Sequence, residues 1–428
     1  MSSADAVRGA ALGLIAGVTG AHQALSDQLA TGALVALAPA DRARAQRLAL
    51  TTLRQIARAD AVLKPHLRRA PPADVQALLR LATVEMLDLG AAPHGVVGAA
   101  VALARAGGQR AEAFAGLVNA VLRKVAATDP ARWSSLPPPS LPDWLRGRLM
   151  SAWGKRAVMA MEAAHLAGAP LDLTPKDGDA AALAARLGGV ALATGSVRLV
   201  AAGQVSDLPG YAEGDWWVQD AAAALPARIL APGPGARVLD LCAAPGGKTL
   251  QLAATGAQVT ALDISGPRMA RVTENLARCG LAADCVVADA LTWQPPAPFH
   301  AVLLDAPCSA TGTIRRHPDL PFVRTPASLR DLFALQARLI DRALAFLAPG
   351  GRLVFATCSL LPDEGEAQVT AALARHPGLR PDPEALALPG LAPEWTSAEG
   401  GLRLRPDYWP EVGGMDGFYI AALRHSPA

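Results

Sequence analysis

From Ala236 onward, short apolar runs alternate with longer amphipathic ones, and this alternation limits the fold more than any other feature. The runs Arg237–Leu241, Gln258–Leu262, Ala283–Val287, Ala301–Leu304, Arg352–Ala356 and Phe418–Leu423 have the length and aliphatic content of buried strands. Helical patterns lie between them at Lys248–Ala254, Pro267–Cys279, Ser328–Leu347 and Glu364–Arg375. The order predicts a doubly wound, mostly parallel sheet, with a ligand site beyond the carboxyl ends of its strands.

The front of the chain reads differently. Up to about Ala127 its apolar residues recur at helical spacing, as in Leu50, Leu53 and Ile56, with almost no β-type alternation, so five to seven helices are expected. Asp41 and Asp74 stand where helix caps would. Clustered prolines from Pro137 to Pro142 mark a linker, because each removes a backbone donor. The expected organisation is therefore a helical domain over 1–127, a Pro-rich linker over 128–142, a small α+β segment over 143–207 and an α/β domain over 208–428.

Hydrophobic residues make up 51% against 18% charged, which excludes a disordered or polyelectrolyte chain. Residues 1–140 hold 15 Lys and Arg against 9 Asp and Glu, and the remainder 25 against 28, so a phosphate-rich partner suits the front half only moderately. Five cysteines without a CxxC pair exclude a disulfide framework and a zinc site, and imply a reducing cytoplasm. The apolar stretch Gly9–Gly20 is too short to span a bilayer and reads as a packed helix face.

The turn after the first strand, Cys242-Ala243-Ala244-Pro245-Gly246-Gly247-Lys248, lets backbone amides approach a ligand where side chains would block it. It stands one residue from the phosphate-binding pattern GxxxxGK[ST], and Val302–Asp305 imitates a magnesium-positioning strand, so an NTPase is a rival reading. Three features favour a dinucleotide-like or adenosyl ligand. Ala-Pro replaces the flexible interior of a phosphate cradle; Asp263 ends the second strand, where an acid accepts ribose hydroxyls; Asp289 ends the third, suited to an adenine amino group or an amino-acid tail. Helix capping is the ordinary role for both acids.

Asp305 ends the fourth strand, Cys308 follows three residues later, and Cys358 closes the fifth. Both thiols are nucleophile candidates at the ligand-binding edge, whereas Cys279 and Cys285 read as small buried hydrophobes.

Asp240–Thr249, Leu304–Ser309, Arg315-Arg316-His317-Pro318-Asp319 and Thr357-Cys358-Ser359 together resemble the RsmB/Sun family of RNA cytosine-5 methyltransferases, as does Gly214–Asp220. Asp41-Arg42-Ala43, Pro93–Val97 and Val118–Arg123 resemble the NusB-like RNA-binding domain of that branch. The resemblance implies a Rossmann-like class I methyltransferase domain with a seven-stranded sheet, using S-adenosylmethionine to methylate C5 of a cytosine, in 16S rRNA or alternatively in tRNA. It implies that Cys358 adds to C6, that Cys308 assists release, and that Asp305 holds the base edge. Cys242 to Lys248, Asp263, Arg268, Asp289 and Asp305 would line the cofactor pocket, and Arg315, Arg316 and His317 would hold RNA phosphates. A cytoplasmic monomer acting on RNA, free or in an early ribosomal particle, is expected. A noncatalytic RNA-binding factor is the other rival.

Two positions depart from the family pattern. Leu171-Asp172-Leu173-Thr174 stands where relatives often show Leu-Arg-Val-Asn, which loses an arginine from a segment expected to meet RNA. Asp363-Glu364-Gly365-Glu366 replaces Glu-Asn-Glu and alters a helix start.

Overall fold

The computed structural model describes residues 3–200 and 203–425. They form two compact units. One holds the chain up to Met150 together with Lys155–Ala167 and Ile314–Thr325; the other holds Ser151–Gly154, Gly168–Thr313 and the remainder from Pro326.

The first unit is helical. Seven α-helices lie between Ser3 and Ala126 among the described residues, the longest being Ser3–Ala21, Pro39–Leu63 and Ala73–Leu87. Their apolar faces meet in two cores, one around Leu14, Ile15 and Leu81, the other around Leu63, Leu79 and Val118. Asp41 and Asp74 are not caps, because Ala38 and Pro72 occupy those positions. The acids lie three and two residues later, in the first turn, where they complement the helix dipole.

The Pro-rich stretch is no free linker. Asp129 caps the short helix Pro130–Ser134 through the N–H of Ala131, and Trp133 is buried with the Arg58 guanidinium 4.6 Å from its ring centroid. Its indole N–H donates to Asp88 Oδ1 at 3.1 Å. The following helical stretch Asp143–Ala167 breaks at Gly154, whose φ of 78° is outside the helical range. The helical unit thus continues past residue 142 to Ala167, where the sequence reading placed the α+β segment.

The second unit contains two sheets. The smaller joins β1 (Leu171–Pro175), β2 (Val190–Ala191), β3 (Val197–Leu199) and β4 (Trp216–Val218) in the antiparallel order β2-β3-β1-β4, with helix Ala180–Leu187 packed on it. Since β4 pairs with β1, Trp216–Val218 belongs to this sheet, and a boundary at 207/208 would cut it.

The larger sheet comprises β5 (Arg237–Leu241), β6 (Gln258–Asp263), β7 (Asp284–Val287), β8 (Phe299–Asp305), β9 (Leu347–Thr357), β10 (Leu379–Pro381), β11 (Leu402–Leu404) and β12 (Phe418–His425). Its order is β10-β12-β9-β8-β5-β6-β7, with β11 also pairing β12. Strands β5 to β9 run parallel, and β12 runs antiparallel to β9. Helices cover both faces, and the central strands are apolar almost throughout, as burial on two sides demands. The carboxyl ends of β5, β6, β8 and β9 therefore open on one edge.

Candidate active site

Four strand ends bring the chemistry together. Beyond β9, Cys358 is partly exposed, and its Sγ lies 3.4 Å from Sγ of the buried Cys308, three residues past β8. The backbone ties these loops to each other: Ala306 N–H donates to Ala356 O and Gly312 N–H to Cys358 O, both at 2.9 Å. The hydrogen bond shared with Cys358, then burial, then the charges of Cys358 and Glu364, raise the Cys308 thiol well above its ordinary value.

The loop after β5 turns sharply. Cys242 has φ 65° and Gly246 φ 103°, and a Cβ on Gly246 would meet Val272 at 3.1 Å. That glycine serves close packing of helix Gly266–Cys279 as well as any ligand. Burial pushes the Cys242 thiol up, which leaves it un-ionised. Asp263, 2% exposed, locks the loop: its Oδ2 accepts the N–H of Ala244 at 3.1 Å and its Oδ1 that of Ser265 at 2.9 Å. The exposed Arg268 side chain donates to Ala244 O at 2.7 Å and stands 3.7 Å from Asp263 Oδ2.

Strand β7 ends at Val287, and Asp289 lies two residues beyond, exposed, with Oδ1 accepting the N–H of Leu291 at 2.9 Å. Neither acid caps a helix, Ser265 being the cap of Gly266–Cys279, and each carboxylate retains lone pairs for a ligand beside its turn hydrogen bonds. Lys248 does not project freely as a phosphate-binding lysine would; its Nζ is 2.6 Å from Asp305 Oδ2. Behind them Asp240, fully buried, accepts the Thr249 hydroxyl at 2.6 Å on Oδ2, while Oδ1 has no hydrogen-bond partner.

Of the three residues assigned to RNA phosphates, Arg315 is fully buried, and its carbonyl accepts a hydrogen bond from Arg54 at 2.8 Å. It lies in the segment that belongs to the helical unit and offers no surface to a phosphate, so that assignment is corrected. Arg316 is half-buried and His317 exposed. Asp172 is likewise interior: Arg198 grips it with two bonds of 2.7 Å while donating to the carbonyls of Val412 and Gly414. The Asp172 side chain therefore has no access to RNA.

Sequence reasoning missed Glu364. Fully buried, its Oε1 accepts the Ser309 N–H at 2.9 Å and the Gln336 amide at 3.0 Å, and its Oε2 accepts the hydroxyls of Ser309 and Ser359, both at 2.5 Å. The only signal was an acid five residues after Ser359, indistinguishable in sequence from a helix start.

A β7-β6-β5-β8-β9 parallel order with an antiparallel β12 beside β9, an acid closing β6 and an adenosyl-type loop after β5 define a Rossmann-like class I methyltransferase. Residues 227–424 match the family described as 16S rRNA methyltransferase RsmB/F, and residues 5–127 match the NusB family. Ribosomal RNA small subunit methyltransferase B of Xanthomonas campestris pv. campestris is 37% identical, over 98% of this chain and 97% of its own. The Pseudomonas putida protein of the same name is 37% identical over 90% of each. Among solved structures, PH0851 shares the fold over 99% of both chains, with a TM-score of 0.74 at 22% identity. A methyltransferase homolog protein from Pyrococcus horikoshii is 27% identical with a TM-score of 0.56, covering 66% of this chain and 95% of that one. The chain belongs to the RsmB/F family of 16S rRNA methyltransferases and carries a NusB-family domain ahead of the catalytic one.

Proposed function

We propose that this protein transfers a methyl group from S-adenosylmethionine to C5 of a cytosine in small-subunit ribosomal RNA, through a transient bond between Cys358 and C6. The observation that carries the reading is the pair of thiols in contact at the carboxyl edge of the sheet. C5 of cytosine is a poor nucleophile; addition of a thiolate at C6 moves electron density to C5. When bound, S-adenosylmethionine supplies the electrophilic methyl group.

Cys358 is assigned the nucleophile and Cys308 the release step. Once Cys358 is bonded to C6, the hydrogen bond that raises Cys308 most is gone. Cys308 then ionises more readily, which suits it to take the C5 proton while the C6–sulfur bond breaks and the C5–C6 double bond returns. Asp305, 29% exposed, is free on one oxygen to accept from the cytosine amino edge.

The residues around the loop fit a cationic cofactor. Asp263, Asp289 and Asp305 all lie at or near this edge, and Lys248 and Arg268 stand beside Asp305 and Asp263. Such a field attracts a sulfonium with its ammonium and repels a triphosphate, which argues against the NTPase reading. Cys242 to Lys248, Asp263, Arg268 and Asp289 are assigned to the cofactor on this basis.

For the helical domain the assigned partner is RNA. Arg68, Arg69, Arg110 and His66 rim a groove of about 780 Å³ around half-buried Phe114 and Leu117, and no carboxylate lines it. Guanidinium groups suit phosphates and Phe114 an unstacked base. The five free cysteines suit a reducing cytoplasm.

The decisive experiment traps the intermediate. Cys358→Ala abolishes turnover, while Cys308→Ala accumulates a denaturant-resistant enzyme–RNA species. The opposite pattern reverses the two roles, and full turnover by both variants removes covalent catalysis. Bisulfite sequencing of RNA from cells with and without the gene identifies the cytosine.

A further inference from the structure

Glu364 is a buried carboxylate without a cation among its hydrogen-bond partners. All four groups that bond it are neutral donors: the Ser309 N–H, the hydroxyls of Ser309 and Ser359, and the Gln336 amide. Burying a charge without a cation bonded to it is costly, and four converging donors call for the two acceptor oxygens of a carboxylate. The identity of its partners is informative. Ser309 follows Cys308 and Ser359 follows Cys358, so a single carboxylate oxygen holds the residues next to both thiols.

The clamp is braced on each side. Gln336 also donates to Pro307 O at 2.8 Å, fixing the residue before Cys308. Thr357, the residue before Cys358, donates its hydroxyl to Glu364 O at 2.9 Å. The Thr311 hydroxyl lies 3.2 Å from that of Ser309 and 3.3 Å from that of Ser359, and accepts the Leu360 N–H at 2.9 Å. Every residue flanking the two cysteines is thus tied directly to Glu364 or to the amide that bonds it.

We propose that Glu364 is the positioning residue of the thiol pair, holding the Cys308 and Cys358 loops in register and setting a negative charge on the backbone N–H that follows Cys308. The inference rests on the assignment of Cys358 and Cys308 as the reacting thiols and adds what orders them. The clamp keeps the sulfurs in contact. The carboxylate charge, acting on Cys308 together with burial and the Cys358 contact, opposes a thiolate there.

The test separates charge from clamp. In otherwise wild-type protein, Glu364→Gln is expected to lower kcat at least about tenfold with S-adenosylmethionine affinity and the KM for RNA little altered. In a Cys358→Ala background, the pH of half-maximal alkylation of Cys308 by iodoacetamide is expected to fall by about one unit when Glu364→Gln is added. Glu364→Asp keeps the charge and shortens the reach, so kcat falls while the alkylation profile stays. Wild-type kcat in Glu364→Gln, or an alkylation profile indifferent to the charge, overturns the proposal. Should Glu364→Gln not fold, the double variant Ser309→Ala/Ser359→Ala removes the clamp alone; wild-type turnover there overturns the clamp as surely. Loss of methyl transfer in the wild-type protein itself would instead remove the reading on which the proposal stands.

Discussion

Lys248 Nζ and Asp305 Oδ2 stand 2.6 Å apart, joining the first turn of helix Gly247–Ala254 to the end of β8. Burial works to lower the lysine's pKa, but the charge and hydrogen bond of Asp305, followed by the charges of Asp240 and Cys358, raise it overall. The ammonium therefore remains charged at the base of the site, 5.5 Å from the ring centroid of Phe418. A lysine that the sequence presented as a phosphate ligand instead holds the carboxylate assigned to the cytosine.

Asp305→Asn preserves shape and removes that charge. The side chains are 10% and 29% exposed, so the pair is only partly screened, and its loss is expected to destabilise the fold by about 2 kcal/mol. Methyl transfer should fall about a hundredfold. The double variant Lys248→Met/Asp305→Leu should recover most of the stability in thermal unfolding and none of the turnover. Recovery of both would show that the pair serves the fold alone.

A second buried pair makes a purely structural prediction. Asp172 and Arg198 are 0% and 2% exposed, and Arg198 also bonds two carbonyls near β12. Asp172→Ala leaves the guanidinium uncompensated and should cost about 3–5 kcal/mol in urea unfolding. Asp172→Arg should be at least as destabilising and should not tighten RNA binding. An increase in RNA affinity at unchanged stability would return this position to the RNA surface.

These cases show where sequence reading succeeds and where it stops. Strand β5 was legible to its ends, Arg237 and Leu241, because a buried parallel strand is a continuous apolar run bounded by turn residues. Strands β10 and β11, three residues each and carrying Arg380 and Arg403, had no such run to announce them. Strand β4 was visible only within the Gly214–Asp220 resemblance, neither as a strand nor as a partner of β1, since forty residues separate the two. Charge misled at Arg315 and Asp172, since a charged residue normally marks surface and both are fully buried here, Asp172 against Arg198 of a neighbouring strand. The thiols were legible because each follows a strand end, whereas Glu364 was not, its partner Ser309 lying 55 residues away.

Asp240 gives the site a pH signature. Burial raises its pKa to about 7 from 3.8, against the lowering influence of the Thr249 hydroxyl and Lys248, with Asp305 and Asp263 adding to the rise. The unfolded chain loses this proton near 3.8 and the folded protein keeps it to about 7, so folding takes up a proton between those values. The associated stability is fully present below the lower value and is lost as pH rises through the upper one. Urea midpoints between pH 5 and 8 should show wild type losing stability relative to Asp240→Asn as pH rises. Equal pH slopes for the two proteins would place the proton elsewhere.

The groove of the helical domain predicts a salt dependence. Arg68, Arg69 and Arg110 are exposed, and among the described residues none is engaged in a hydrogen bond or ion pair. Each phosphate they neutralise releases about 0.7 counterion from single-stranded RNA, so replacing all three by alanine should reduce the slope of log K against log salt by about two. Phe114→Ala should weaken binding by about 1–3 kcal/mol with the slope unchanged, because stacking releases no counterions. Affinity for S-adenosylmethionine should be retained in both variants, while the KM for RNA rises. Fluorescence anisotropy with a labelled rRNA fragment at several salt concentrations reads both effects, and an unaltered slope in the triple variant would remove this groove from the path of the RNA.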